Sequence, residues 1–311
     1  MGAINLLDGR TAVVTGAGNG IGRAVALELA VLGAAVVVND IGTSLDGSGH
    51  TADAADEVVA EIVASGGRAV AHTGSVADPE SAASLVAAAT SSFGGLDILV
   101  NVAGIMRKGT ILDATHDDWR AVLGVHLDGT FNTCRAAAPV MVERGWGRIV
   151  NFSSHSAFGF EGQPAYAAAK AGIMGLTFAV ATELTGTGVT CNAIAPAART
   201  RMSEASRTDF EQMLADGIID QTIWDRYDSL PPPTFTSPVV AFLATDDAKE
   251  ITGQVVTAGF GVSVIKAPSE TGMHTKPRED GPFTQAELAG FLPQAALDAN
   301  AGPGLLDELE A

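Results

Sequence analysis

Up to about residue 265 the chain alternates short apolar runs with amphipathic stretches. Ala12–Val14, Ala35–Asn39, Ala69–His72, Leu96–Asn101, Gly147–Phe152 and Val189–Ile194 are short and rich in β-branched residues, the signature of strands buried on both faces. Between them, Gly20–Leu32, Glu57–Ala64, Glu80–Ser91, Asp117–Glu143 and Tyr166–Leu184 follow the helical period, the fourth with an expected break near Pro139. Strands alternating with helices imply right-handed crossover units and a parallel sheet with helices on both faces.

Two stretches depart from this rhythm. Residues 41–54, small and polar, form an insertion after the second strand, expected to be a loop. Residues 197–233 carry helix-like pieces and end in three prolines, the pattern of a mobile substrate lid or of an ordinary surface excursion. Beyond Lys266 the composition turns polar and proline-rich, with a short helix expected near Thr284–Phe291. The expected organisation is one domain at 1–266 with an extension at 267–311 that packs on a neighbour or stays partly disordered.

Composition narrows the function. Hydrophobic residues make up 47% and charged residues 17% of the 311, ample for a large core. The formal net charge of −18 repels phosphate backbones and anionic membrane surfaces, so neither nucleic acid nor membrane is an expected partner. Two cysteines, Cys134 and Cys191, make no disulfide framework and fit a reducing compartment. With no signal peptide visible, no apolar run read as long enough to span a bilayer and no C-terminal peroxisomal signal, the expected location is the cytoplasm. Six scattered histidines lack ligand spacing, so no metal is expected, and no G-x-S-x-G stands on a strand-to-helix turn.

The chemistry sits in three motifs. Thr15-Gly16-Ala17-Gly18-Asn19-Gly20-Ile21-Gly22 follows the first strand and opens a helix, where glycines let the backbone approach a pyrophosphate at the positive helix end. Asp40 closes the next strand, where a carboxylate accepts both adenosine ribose hydroxyls and repels a 2′-phosphate, predicting NAD over NADP. Its alternative is a turn cap before Gly42. Asn101-Val102-Ala103-Gly104 ends another strand with small residues beside the expected nicotinamide ribose. Tyr166 and Lys170 share one helix face, and a nearby ammonium favours the phenolate, so the phenol is expected to exchange a proton with an alcohol or carbonyl. Ser153-Ser154 end the preceding strand, offering a hydroxyl to the reacting oxygen. Together these make the expected fold α/β, a Rossmann-type doubly wound parallel sheet.

These motifs, with Asn192-Ala193-Ile194-Ala195-Pro196, occur in the order of the short-chain dehydrogenase/reductase family, which residues 8–265 resemble. The resemblance implies hydride transfer between a nicotinamide and a carbonyl/alcohol pair. It makes Tyr166 the general acid/base, Lys170 the ribose-holding residue and Ser154 the orienter of the substrate oxygen. It sets Gly16, Asn19, Gly20, Ile21, Gly22, Asp40, Ser75, Val76, Asn101, Ala103, Gly104, Pro196 and Arg199, with Tyr166 and Lys170, around the cofactor. Three departures stand out. His126 takes the place of the family's asparagine relay, as a water-holding proton relay or as a core histidine satisfied by the backbone. The serine-to-tyrosine interval is one residue short, which leaves Ser153 as a competitor to the preferred Ser154. The glycine usual after Pro196 is Ala197.

Within the family the chain more closely resembles the (3R)-hydroxyacyl-CoA dehydrogenase domain of peroxisomal multifunctional enzymes and related bacterial hydroxysteroid and alcohol dehydrogenases. Val38-Asn39-Asp40 with its insertion, Gly66–Ala71, Val125-His126-Leu127 and Arg201-Met202 carry that likeness. A 3-hydroxyacyl-CoA or a hydroxysteroid is therefore the expected substrate. Arg107, Lys108, Arg199, Arg201 and Arg207 are candidates for the CoA phosphates, and Phe158, Phe160, Met202 and Trp224 for an apolar steroid cleft. An NADPH-dependent 3-ketoacyl-carrier-protein reductase is the enzymatic alternative, disfavoured by Asp40. A non-catalytic NAD-binding regulatory protein is the alternative of another class. The resemblance also implies a homo-oligomer, dimer or tetramer, contacting through the helices around Arg120–Val142 and Ala167–Leu184.

Overall fold

The apolar runs pair in parallel, and their register places the functional segments at one end of the sheet. The computed structural model describes residues 6–265, so the short helix expected near Thr284–Phe291 and the whole extension at 267–311 lie outside the described residues. The strands are β1 (Thr11–Thr15), β2 (Ala35–Asn39), β3 (Arg68–His72), β4 (Ile98–Asn101), β5 (Gly147–Phe152), β6 (Val189–Pro196), β7 (Val255–Ala258) and β8 (Val262–Ile265). They form one eight-stranded sheet in the order β3-β2-β1-β4-β5-β6-β7-β8. All neighbours run parallel except β7 and β8. The Gly259-Phe260-Gly261 link is too short for a crossover, so β8 returns antiparallel. The fold is the expected Rossmann-like α/β sheet.

The helices are α1 (Gly20–Val31), α2 (Asp53–Ala64), α3 (Pro79–Phe93), α4 (His116–Leu123), α5 (Gly129–Arg144), α6 (Pro164–Glu183), α7 (Arg201–Glu204), α8 (Arg207–Ala215), α9 (Gln221–Asp228) and α10 (Ser237–Leu243). Alternate strand side chains divide between two helical layers, which explains the unbroken apolar runs. Val14, Val36, Val38 and Val100 pack under α1, α2 and α10. Val13, Val37, Leu99 and Ile149 pack under α3 and α5.

Two expectations change. Pro139 does not break its helix, because α5 runs continuously through it. Burial of Ala137 and Met141 against the sheet holds that turn despite a lost backbone donor. The irregularity falls earlier, at Gly124–Asp128, where the chain widens into a π-helical turn between α4 and α5. In addition, α6 is itself 20 residues long with a mean hydropathy of 1.2, enough by length and composition to cross a membrane. It is a core helix instead: its buried face lies on β6, and Lys170 sits on that face.

Candidate active site

Sheet order reverses between β1 and β4, and a crevice opens there beyond the carboxyl ends of the strands. It holds a cavity of about 450 Å³. At the switch point Thr15 Oγ1 accepts hydrogen bonds from the Val102 and Ala103 amides, at 3.1 and 3.2 Å, and locks the two loops together.

The glycine turn is a matter of contact as well as conformation. Gly16 has φ +63°, and a Cβ on it would stand 2.8 Å from Ala103 Cα. A Cβ on Gly22 would strike the Gly16 carbonyl oxygen. Only glycine lets α1 start this close to the strand ends. No acidic residue occupies the first turn of α1, and its N-cap Asn19 makes no side-chain cap, so the helix end faces the cavity with free amides. Asp40 lines the same space and accepts from the Gly18 amide at 2.8 Å and the Gly42 amide at 2.7 Å. It is thus both the turn cap and a cavity carboxylate.

At the other end of the cavity, Tyr166 and Lys170 project from α6 beneath the end of β5. Lys170 Nζ donates to the Phe152 carbonyl at 2.6 Å and lies 5.4 Å from the Tyr166 ring centre. Burial pushes the Lys170 ammonium down to about 7. It also pushes the Tyr166 phenol up to about 12, tempered by a hydrogen bond with Ser154. The expected lowering of the phenol by Lys170 is not what governs it here: desolvation dominates. Ser153 lines the cavity but its Oγ donates to the Lys170 carbonyl at 2.9 Å and supports the helix, whereas Ser154, whose Oγ accepts from the Ser156 amide at 3.1 Å, is the serine that bears on the phenol.

His126, in the π-helical turn, meets Tyr166 edge-on with ring centres 5.1 Å apart. Its Nε2 lies 2.8 Å from the Ile105 carbonyl and 3.1 Å from the Ile105 amide, so either tautomer is satisfied on that side. Its Nδ1 has no partner among the described residues. Burial, then the Lys170 charge, push the imidazole down to about 3, so it is neutral at any working pH. The backbone-satisfied reading holds for one nitrogen and the relay reading is left to the other.

Residues 10–211 match the family described as short chain dehydrogenase. The chain belongs to that family. As an oxidoreductase fold it has relatives of several named activities. A hydroxyacyl-CoA dehydrogenase of Mycobacterium tuberculosis is 40% identical over 274 residues, covering 84% of this chain and 81% of that one. Peroxisomal multifunctional enzyme type 2 of Drosophila melanogaster is 39% identical over 278 residues, covering 89% of this chain but only 43% of the longer enzyme. A 3-oxoacyl-(acyl-carrier-protein) reductase of Synechocystis is 39% identical over 259 residues, covering 82% and 98%. The solved short chain dehydrogenase from Mycobacterium avium superposes with a TM-score of 0.76 at 39% identity, covering 94% of this chain and 96% of that one.

In this short-chain dehydrogenase the cavity brings together Gly16, Asn19, Gly20, Ile21, Gly22, Asp40, Ser75, Val76, Ala103, Gly104, His126, Tyr166, Lys170 and Pro196. Two expected cofactor residues lie elsewhere. Asn101 sits beneath the floor, donating to Asn151 Oδ1 at 3.0 Å and accepting from Thr133 at 2.8 Å. Arg199 turns away to Glu204 at 2.9 Å and to the Asp228 carbonyl. Ser154 is not part of the cavity lining and reaches the site through Tyr166.

Sequence reading missed two contributions. The insertion lines the cavity with Ile41, Thr43, Ser44, Leu45 and Gly47. It is tied down by the Met106 amide, which donates to the Leu45 carbonyl at 2.7 Å, and by Arg107 Nε, which donates to the Asp46 carbonyl at 2.9 Å. Asn151, fully buried, joins Asn101 to Thr177 of α6 at 3.0 Å on each side. A polar residue inside the apolar run Gly147–Phe152 was its only signal.

Proposed function

We propose that the chain is an NAD-dependent dehydrogenase that oxidises the secondary alcohol of a 3-hydroxyacyl-CoA to the ketone. The observation that carries this reading is one cavity with Asp40 beside the glycine turn and with Tyr166 and Lys170 in its wall, Ser154 standing behind the phenol. The residues fit a dinucleotide. A Cβ at Gly16 or Gly22 would fill the cradle, the amides of α1 are free to receive a diphosphate, and both Asp40 oxygens are fixed by backbone amides with lone pairs left for ribose hydroxyls. When bound, NAD supplies the hydride acceptor.

The chain's own residues do the rest. Ser154 orients the substrate hydroxyl by hydrogen bonding. Tyr166, in the phenolate form that positive charge beside it favours once the site is filled, takes the hydroxyl proton as the hydride leaves the carbinol carbon. Lys170, buried and held by the Phe152 carbonyl, fixes the ribose side of the site and adds positive charge near the phenol. The Asp40 carboxylate opposes a 2′-phosphate by like-charge repulsion.

The hydroxyacyl-CoA substrate is supported by the name of the Mycobacterium tuberculosis relative. The steroid alternative has less support, since of its four apolar candidates only Met202 lines the cavity. Phe160 stacks on Phe210 instead, 5.3 Å away, Trp224 packs toward Tyr227 at 6.0 Å, and Phe158 is exposed. A carrier-protein reductase remains the second reading, on the strength of the Synechocystis relative.

The test is NADH or NADPH formation from 3-hydroxybutyryl-CoA by the wild type and by Tyr166→Phe. Turnover is expected with NAD at least tenfold above NADP, falling at least ~100-fold in the variant, as loss of a general base predicts, while NAD still binds. Preference for NADP, or undiminished turnover in Tyr166→Phe, overturns the reading.

A further inference from the structure

This inference rests on the substrate reading above. A protein with a formal net charge of −18 repels a ligand that carries phosphates, so it must offer cations where that ligand docks. Five cations near the site have the right place in the sequence, and the structure neutralises four of them. Arg107 pairs with Asp118 at 3.1 Å and Lys108 with Asp209 at 2.5 Å. Arg199 pairs with Glu204 at 2.9 Å and Arg207 with Asp228 at 2.7 Å.

Arg201 is different. It opens α7 at the cavity wall, it is exposed, and its guanidinium makes no hydrogen bond or ion pair among the described residues. A second arginine, Arg120 of α4, also lines the cavity and is 77% exposed, with only a 3.9 Å contact to Asp117. Two guanidinium groups with donors to spare, brought from separate elements to one cavity, supply the donor chemistry that a phosphate ester takes.

We propose that Arg201, assisted by Arg120, is the docking point for a phosphate ester at the mouth of the site, and that the phosphate belongs to the thioester substrate. The dinucleotide carries the same chemistry, and Thr200 beside Arg201 lies over Gly20 at the start of α1. The free amides of α1 are placed to take that diphosphate, which leaves the arginines to the substrate.

The test compares wild type, Arg201→Ala and Arg120→Ala on 3-hydroxybutyryl-CoA and on 3-hydroxybutyryl-N-acetylcysteamine, which has the same reacting carbon and no phosphate. Arg201→Ala is expected to lower kcat/KM for the CoA ester at least tenfold more than for the truncated thioester, mainly through KM, with a smaller effect from Arg120→Ala; one lost charge-assisted contact is worth about that factor. Equal losses on both thioesters, or a rise in KM for NAD in place of KM for the CoA ester, overturn the proposal. Calorimetry of coenzyme A with the NAD-saturated protein reads the site without turnover. Binding weakened about tenfold in Arg201→Ala supports it, and equal binding, or none to the wild type, overturns it. Absence of turnover with tight, Arg201-dependent coenzyme A binding would sink the substrate reading alone.

Discussion

At the scale of single residues, burial governs the titration of the site. Tyr166, Lys170 and His126 all have their charged forms disfavoured, each chiefly by desolvation. For His126 this links directly to stability. Its folded value, about 3, lies below the ordinary 6.5, so between those values the unfolded chain binds a proton that the folded chain refuses. Acidification through 6.5 therefore draws the equilibrium toward the unfolded chain. Thermal melts from pH 7 to pH 4 are expected to show wild type losing stability faster than His126→Asn, which cannot take up that proton. Parallel curves for the two proteins would show that the imidazole titrates as freely in the fold as in the unfolded chain. Gly16, Asp40, Tyr166 and Lys170 were legible at this scale because each follows from local spacing. The exclusion of Arg199 and Asn101 from the cavity was not, because it depends on Glu204, Asp228 and Asn151, partners brought in by other elements.

At the scale of elements, the insertion after β2 is a wall rather than a decoration. Its Gly47 passes over Ile105, whose side chain would stand 3.2 Å from a Cβ there, and Arg107 bridges the Asp46 carbonyl and Asp118 at the start of α4. Arg107→Ala is expected to loosen this wall and raise the KM for the nicotinamide dinucleotide several-fold, in the range of partly exposed charged contacts, with a smaller change in kcat. Limited proteolysis should cut the variant sooner within residues 42–50. Unaltered KM and cleavage would mean the insertion holds itself. A run of small polar residues showed where the loop was but carried no sign of its docking surface. The segment at 197–233 behaves similarly: its helices α8 and α9 are joined by the Phe210–Tyr227 stack at 3.9 Å and reach the loop after β5 through Phe160. We propose that it acts as the substrate lid.

Across the whole molecule, the two ends of the sheet have different duties. The carboxyl ends carry the cavity, and the amino ends carry an ion-pair hub around a buried aspartate. Asp97, 1% exposed, accepts from the Thr11 amide at 2.9 Å and pairs with Arg144 at 3.3 Å and Arg10 at 3.4 Å. Arg10 and Arg148 lie over the ring of Trp146 at 3.6 and 4.3 Å. Asp97→Asn is expected to cost about 1–3 kcal/mol, by weakening the charge-assisted contacts of two partly exposed arginines to a buried carboxylate, while kcat stays within twofold because the hub is remote from the cavity. Denaturant melts and steady-state rates check the two halves of that statement, and a large loss of kcat in a folded variant would refute the division.

The chain's local pattern by itself determined the parallel sheet, the helix at the glycine turn, and the pairing of Tyr166 with Lys170 on one helix face. Those features rest on interactions within a few residues, or on a periodicity that any reading of the chain exposes. Only the tertiary structure decided that Ser154 and not Ser153 faces the phenol, that α5 runs through Pro139 while a π-helical turn positions His126, and that Arg201 alone among five candidate cations lacks an ionic partner in the described residues. Each of those outcomes depends on which distant groups compete for the same hydrogen bond or charge, and that competition is settled by packing.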